Sequence, residues 1–205
     1  MLSGIFSAAG FANLLLSLPA VLWAITFHEF CHGWAAKKLG DTTAERAGRL
    51  SLNPFDHLDP IGALCLLLFR FGWAKPVPID TRYFKHPRRD IIIVSLAGAA
   101  GNFLTAFICA RVVSLIPALF SSWAAQQFIL LMIYINLGLA SFNLIPIPPL
   151  DGSRILYVLM PREWMRYYFM LERYGIFIIL ILLALGVLPY LMRPIMGALL
   201  MIMLI

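Results

Sequence analysis

The sequence predicts an all-α protein that crosses a membrane several times. Hydrophobic residues make up 61% of the 205 positions, which is well above their share in a soluble globular domain. They gather in long runs that contain almost no charge, and no polar linker, low-complexity tract or internal repeat divides the sequence. We therefore predict a single membrane domain over residues 1–205, with about four core transmembrane helices.

Four apolar runs are long enough to cross the bilayer. A helix needs about 20 apolar residues for this, because every backbone N–H and C=O must be satisfied within the segment. The predicted spans cover residues 11–36, 91–116, 123–145 and 174–192. A short apolar C-terminal tail of about 12 residues follows Pro194 and is too short to cross untilted, so we predict that it is interfacial or re-entrant.

The long connection between the first two spans, from Leu39 to Asp90, contains an apolar island at residues 61–71. Prolines and glycines in and around this island argue against one regular spanning helix. They are Pro60, Gly62, Gly72, Pro76 and Pro78. We predict a re-entrant or extended segment that packs against the rest of the protein.

Basic residues set the predicted orientation. The chain has 16 Lys and Arg and a formal net charge of +6, and most of these residues cluster after span one, before span two and after span three. All three clusters fall on one side, which the positive-inside rule makes cytoplasmic. Such grouping is typical of membrane loops and does not favour a nucleic-acid-binding protein. The three cysteines are too widely spaced for a disulfide framework or a Cys-rich zinc site.

The first span carries the strongest chemical motif, His28-Glu29-Phe30-Cys31-His32. Residues i and i+4 share one helix face, so the imidazoles of His28 and His32 can bind one metal ion. Glu29 lies beside them and can accept a proton from water. The alternative is that these side chains only satisfy one another's hydrogen bonds. Because ionisable groups within a span are costly and usually functional, we favour the metal site.

A catalytic zinc site commonly has three protein ligands, so the third must come from elsewhere. Asp151 differs from the other candidates, because it follows span three directly and falls in the same leaflet as the histidine pair. Pro148 and Pro149 break the helix there, and Gly152 permits a tight turn. The alternative for Asp151 is an ordinary turn or N-cap aspartate. The other candidates are His57, His86, Asp41, Glu45, Asp56, Asp59, Asp80, Asp90, Glu163 and Glu172.

Two motifs together resemble the signatures of the site-2 protease family: H-E-F-C-H at 28–32 and N-x-x-P-x-P-x-L-D-G at 143–152. Further matches are the loop from Asn53-Pro54 to Pro60, the run from Gly72 to Pro78, and Ala97-Gly98 followed by Asn102. Ala99 departs from the pattern, since many relatives have proline after this glycine. The chain has no room for the PDZ or CBS domains of some relatives, so it looks like a minimal, core-only member.

The resemblance implies an intramembrane zinc metalloprotease with one catalytic Zn²⁺ ion. By position, it implies His28, His32 and Asp151 as the zinc ligands. It implies Glu29 as the general base and Asn143 as a polar contact to the substrate or to the developing oxyanion.

Two further polar residues have structural interpretations. Asn102 is a weaker candidate for the same neighbourhood as Asn143, because an asparagine within a span more often joins helices by hydrogen bonds. His57 lies between Asn-Pro and Asp-Pro dipeptides, which indicate turns. We therefore predict a loop-structural role for His57.

The resemblance also implies partners and location. Substrates would be transmembrane helices of other proteins, cut in the lipid bilayer after local unwinding, as in regulated intramembrane proteolysis. We expect a multi-pass protein of a prokaryotic plasma membrane, with the active site toward the cytoplasmic leaflet. A homo-oligomer or a regulatory membrane partner is left open.

The competing hypothesis is a metal-ion transporter or channel that uses the same His and Asp side chains as a transit site. A transit site does not need a general base. Replacing Glu29 by glutamine therefore separates the two hypotheses.

Overall fold

The computed structural model describes residues 8–62, 65 and 72–204. The helices used below, numbered in chain order, are α1 (Ala8–Lys38), α2 (Thr43–Arg46), α3 (Pro87–Leu115), α4 (Trp123–Asn143), α5 (Gly152–Leu159), α6 (Met165–Ala184) and α7 (Val187–Leu204). Short 3-10 turns lie at Pro54–Asp56, Thr81–Tyr83, Pro117–Phe120 and Arg162–Trp164. These residues hold no β-strand.

Among the described residues, five helices are long and apolar enough to cross a membrane. Three of them correspond to the first three predicted spans: Leu15–Lys38, Pro87–Leu115 and Trp123–Asn143. The other two, Arg162–Ala184 and Val187–Leu204, occupy the C-terminal part of the chain. The all-α, polytopic fold class is therefore confirmed.

The structure corrects the predicted fourth span at residues 174–192 and the predicted short tail after Pro194. α6 ends at Ala184, and the chain turns at Gly186, whose φ of +69° is left-handed and favours glycine. α7 then continues for 18 residues through Pro194, so the predicted short tail belongs to a longer helix. Proline is tolerated inside a membrane helix because neighbouring groups satisfy the freed backbone carbonyl.

α7 packs antiparallel to α4. Its first turn places Leu188 in one apolar cluster with Ile145, just after α4, whereas Met203 in its last turn clusters with Leu137 of α4. Arg111, near the end of α3, donates from Nη2 to the Met203 carbonyl at 3.2 Å. The Met203 end of α7 therefore lies at the same end of the bundle as the end of α3.

Small residues let α1, α3 and α4 pack closely. Each of the three helices contributes a fully buried alanine, namely Ala24, Ala106 and Ala140. Gly101 of α3 faces Cys31 of α1, and a Cβ at Gly101 would lie 2.5 Å from the Cys31 Sγ. Membrane helices typically approach one another at such small residues. These three helices form the core that carries the site.

Two parts of the connection between α1 and α3 lie side by side. Leu58 and Ala74 form an isolated antiparallel bridge, and the Lys75 N–H donates to the His57 carbonyl at 2.9 Å. The two ends of the predicted re-entrant segment therefore meet. Most of the apolar island lies outside the described residues, namely residues 63, 64 and 66–71.

Candidate metal centre

Three predicted site residues meet at one point. His28 and His32 are one turn apart on α1, and Asp151 is the last residue before α5. The two Nε2 atoms are 3.0 Å apart. The Oδ2 atom of Asp151 lies 3.1 Å from the Nε2 of His28 and 3.2 Å from that of His32. We call these three donor atoms the metal triangle.

The metal triangle has the size and chemistry of a zinc site. In a tetrahedral site with bonds of about 2.0–2.1 Å, donor atoms are about 3.3 Å apart, and the distances here are 3.0–3.2 Å. Two imidazole nitrogens and one carboxylate oxygen are ligands that zinc accepts. Three protein ligands also leave a fourth position for water or substrate. The residues present therefore fit a catalytic zinc ion.

Hydrogen bonds at Nδ1 leave both Nε2 lone pairs available to bind a metal ion. The Nδ1–H of His32 donates to the Val94 carbonyl of α3 at 2.7 Å. A carbonyl can only accept, so this bond places the proton on Nδ1. The Nδ1 of His28 lies 2.7 Å from the Oδ1 of Asn102, which requires the same tautomer. Outer partners of this kind orient metal-binding histidines.

Asn102 is itself oriented by two donor bonds. Its Nδ2 donates to the Ala24 carbonyl and to the Oδ1 of Asn136, each at 2.9 Å, so its Oδ1 is the atom that accepts from His28. Asn136 donates in turn to the Met132 carbonyl at 2.8 Å. Asn102 thus joins α1, α3 and α4, in line with its structural interpretation. It also holds a candidate ligand, which the sequence did not indicate.

We expect Asn102→Leu to weaken zinc binding about 10–100-fold, the usual effect of losing an outer hydrogen bond to a metal ligand. Titration against a zinc chelator of known affinity measures this change. Gln126→Leu, at an exposed position of α4, is the control and should bind zinc normally. Unchanged affinity in Asn102→Leu would mean that Asn102 does not orient His28.

Gly98 of α3 leaves room for both imidazoles. A Cβ at this position would stand 2.6 Å from the Cε1 and 2.7 Å from the Nε2 of His28, and closer still to the Nε2 of His32. Side-chain carbons do not make contacts this short. The space beside the two Nε2 atoms therefore depends on glycine at position 98.

A compact turn between α4 and α5 positions Asp151. Ile145 and Leu150 are buried in the turn and cluster with residues of α6 and α7. Gly175 of α6 lies so close to the Pro148 carbonyl that a Cβ would overlap it. The Asp151 side chain makes no capping hydrogen bond to α5, so the structure does not support the N-cap alternative.

Glu29 lines a cavity of about 290 Å³ together with Val77 and Asp151. The Oε2 atom of Glu29 accepts a hydrogen bond from the Val77 N–H at 2.9 Å. The segment that carries Val77 is also held at Lys75, whose carbonyl accepts from the Nη2 of Arg49 at 2.7 Å. The connection between α1 and α3 therefore orients Glu29 through its backbone. The run from Gly72 to Pro78 matches the family pattern in sequence, but the pattern does not indicate this role for Val77.

Two other residues from the sequence analysis, Asn143 and His57, donate hydrogen bonds to backbone carbonyls away from the metal triangle. The Nδ2 of Asn143 donates to the Leu139 carbonyl of its own helix at 3.1 Å, and the role of Asn143 stays a prediction. His57 is fully buried, and its Nε2–H donates to the Ser51 carbonyl at 2.8 Å. This contact agrees with a loop-structural role for His57.

A C-terminal stretch of the chain matches a known family profile. Peptidase family M50 matches residues 114–188, a stretch that includes Asp151 but not the histidine pair. No solved structure matches the chain significantly.

Relatives that bear the name "Putative zinc metalloprotease" match most of the chain. YwhC of Bacillus subtilis is 39% identical over 181 residues, which cover 85% of this chain and 83% of the relative. MJ0611 of Methanocaldococcus jannaschii is 32% identical, and the match covers 74% of this chain and 75% of the relative. Rip2 of Mycolicibacterium smegmatis is 28% identical and covers 82% of this chain and 66% of the relative. The resemblance to the site-2 protease family is thereby confirmed: the chain belongs to peptidase family M50 and is a zinc metalloprotease of the membrane.

Proposed function

We propose that this protein is an endopeptidase that cuts transmembrane helices of other proteins inside the bilayer. In this proposal His28, His32 and Asp151 hold the zinc ion, and Glu29 is the general base. The observation that carries the proposal is the position of the histidine pair of the metal triangle on a spanning helix. At about 1.5 Å per residue, His28 lies about 13 Å along α1 from Lys37, which marks the predicted cytoplasmic surface.

In this proposal the zinc ion, Glu29 and Asn143 each have a part in hydrolysis. A bound zinc ion supplies Lewis-acid chemistry, which polarises the scissile carbonyl and lowers the pKa of water. Glu29 takes a proton from the attacking water and returns it to the leaving amine. Because the Val77 N–H anchors one carboxylate oxygen of Glu29, the other oxygen is left to exchange the proton. Asn143 contacts the substrate or the developing oxyanion.

The substrate must unwind where it is cut, since an intact helix keeps its carbonyls in intrahelical hydrogen bonds. Helices with asparagine or glycine near the cleavage point unwind at lower cost. In our proposal the substrate is cut in the cytoplasmic leaflet of a prokaryotic plasma membrane, because the basic clusters fall on that side. Such cleavage serves regulated proteolysis of membrane proteins.

Two designed single-span peptides test the proposal in proteoliposomes that contain the full-length protein and zinc. One peptide is an uninterrupted Leu/Ala helix, and the other carries Asn-Gly in its cytoplasmic third. The weakened helix should be cut within its span about tenfold faster, because the two substitutions lower helix stability by about 1.5 kcal/mol. Mass spectrometry locates the cut.

Glu29→Gln protein in the same liposomes is the control and should cut neither peptide. Cuts that fall only outside the span would overturn the intramembrane part of the proposal. Equal cutting by wild type and Glu29→Gln would overturn the catalytic part.

The alternative of a metal-ion transporter or channel is not favoured, because the family is one of peptidases. A transit site for metal ions also leaves Glu29 without a role, although Glu29 lines the cavity beside the metal triangle. Zinc flux into liposomes that depends on Asp151 but not on Glu29 would revive that alternative.

A further inference from the structure

A second cavity lies beside the metal cavity. Its volume is about 260 Å³. Four residues line both cavities: Ile79, Val94, Ser95 and Arg154. The second cavity is completed by Thr81, Phe84, Ile91, Tyr157 and Phe169. Because they share walls, the two cavities form one groove that starts at the metal triangle.

The second cavity has mostly apolar walls. The helices α3, α5 and α6 contribute Ile91, Tyr157 and Phe169, and the ring centroids of Tyr157 and Phe169 are 6.2 Å apart. Phe84, which is buried, adds a wall from the connection before α3. Aliphatic and aromatic side chains favour apolar partners, because contact removes apolar surface from water. The cavity therefore suits an apolar group.

Arg154 stands where the two cavities join. Its Nη2 lies 2.8 Å from the Oε1 of Glu172 on α6. This ion pair ties α5 to α6 beside the groove. Arg154 is three residues after Asp151 in the chain. The ion pair therefore also holds the apolar walls on α5 and α6 at a fixed distance from Asp151.

We infer that the second cavity binds one large apolar side chain of the substrate beside the scissile bond, so that the protein selects cleavage sites flanked by leucine, methionine or phenylalanine. This inference rests on the proposed function. An unwound strand rises about 3.3 Å per residue, so a carbonyl at the metal triangle brings side chains of the next few residues to the neighbouring cavity.

The size of the second cavity fits one side chain. Pockets for drug-sized ligands have volumes of about 300–1,000 Å³, and this cavity is smaller, at about 260 Å³. Apolar pockets of this kind discriminate about 10–200-fold for each methylene group that they bind. The preference should therefore be visible in the cleavage sites.

Cleavage-site profiling with the full-length protein in detergent micelles tests the inference. The probe is a peptide library made by tryptic digestion of a denatured bacterial membrane fraction. Mass spectrometry reads the residues around each cut. We expect leucine, methionine or phenylalanine to be preferred over alanine at least about tenfold, at one fixed position within three residues of the cut.

Two variants change the second cavity in opposite directions. Phe169→Ala enlarges it and should shift the preference toward tryptophan. Thr81→Trp fills it and should lower the preference for phenylalanine over alanine about tenfold. Phe177→Ala is the matched control, because it removes the same ring from the same helix; Phe177 is 61% exposed and Phe169 is 53% exposed. The control should keep the wild-type profile.

The outcomes separate this inference from the proposed function. If both cavity variants cut with the wild-type profile, the second cavity binds no substrate side chain, and only the inference is overturned. An equal change in Phe177→Ala and Phe169→Ala also overturns it, since the effect would not come from the cavity. If wild type makes no cut that is lost in Glu29→Gln, the proposed function falls and takes the inference with it.

Discussion

Replacing Gly98 by alanine is expected to remove zinc from the protein and to abolish peptidase activity. A Cβ there would stand 2.6 Å and 2.7 Å from atoms of the His28 ring and closer to the Nε2 of His32. The imidazoles cannot yield easily, because 2.7 Å hydrogen bonds hold both Nδ1 atoms to groups of α3. Zinc content should fall from about one ion per chain to background.

Inductively coupled plasma mass spectrometry of the purified protein measures the zinc content. Gly138→Ala is the matched control, since Gly138 lies on α4 and a Cβ there would meet nothing within 4 Å. Circular dichroism should give both variants the helix content of wild type. Wild-type zinc content in Gly98→Ala would contradict the close approach of α3 to the two imidazoles.

The second large effect is expected from Glu29→Gln, which should lower kcat about 10²–10⁴-fold and leave the zinc content unchanged. Glutamine has nearly the shape of glutamate, and its side-chain oxygen can still accept the Val77 N–H, which now bonds Glu29 at 2.9 Å. An amide cannot take a proton from water. The variant should therefore keep the zinc site and lose peptidase activity.

Cleavage rate and zinc content are measured on the same sample of Glu29→Gln. Glu45→Gln is the control: Glu45 is a partly exposed glutamate that pairs with Lys37 at 2.6 Å, and its replacement should change neither quantity. If Glu29→Gln cut as fast as this control, Glu29 would not be the general base.

The parts of the site that depend on local geometry can be predicted from the sequence. Pairing His28 with His32 needs only the spacing of a helix, and the apolar run around them predicts that helix. Asp151 is predictable for another reason, because the prolines before it break the third span at a point that faces the same leaflet. The structure brings all three within 3.2 Å of one another.

The parts that depend on contacts between helices cannot be predicted in this way. Gly98 matches the family pattern in sequence, but the reason for a glycine there becomes evident only when the imidazoles of α1 lie against it. Val77 holds Glu29 through a backbone N–H, which every residue except proline has. Proline breaks helices more strongly than glycine, so the sequence favours a break at Pro194. The structure instead breaks the chain at Gly186, and α7 continues through Pro194 while its side chains pack against α4.

The buried amides beside the metal triangle have a consequence for the lifetime of the protein. His28 bonds Asn102, and Asn102 bonds Asn136, so one bound ion reinforces contacts among three helices at once. Binding to the folded state alone adds about 2.7 kcal/mol of stability when free metal is at 100 times its Kd. When zinc is scarce, the folded protein loses this contribution and unfolds more often, which shortens its lifetime.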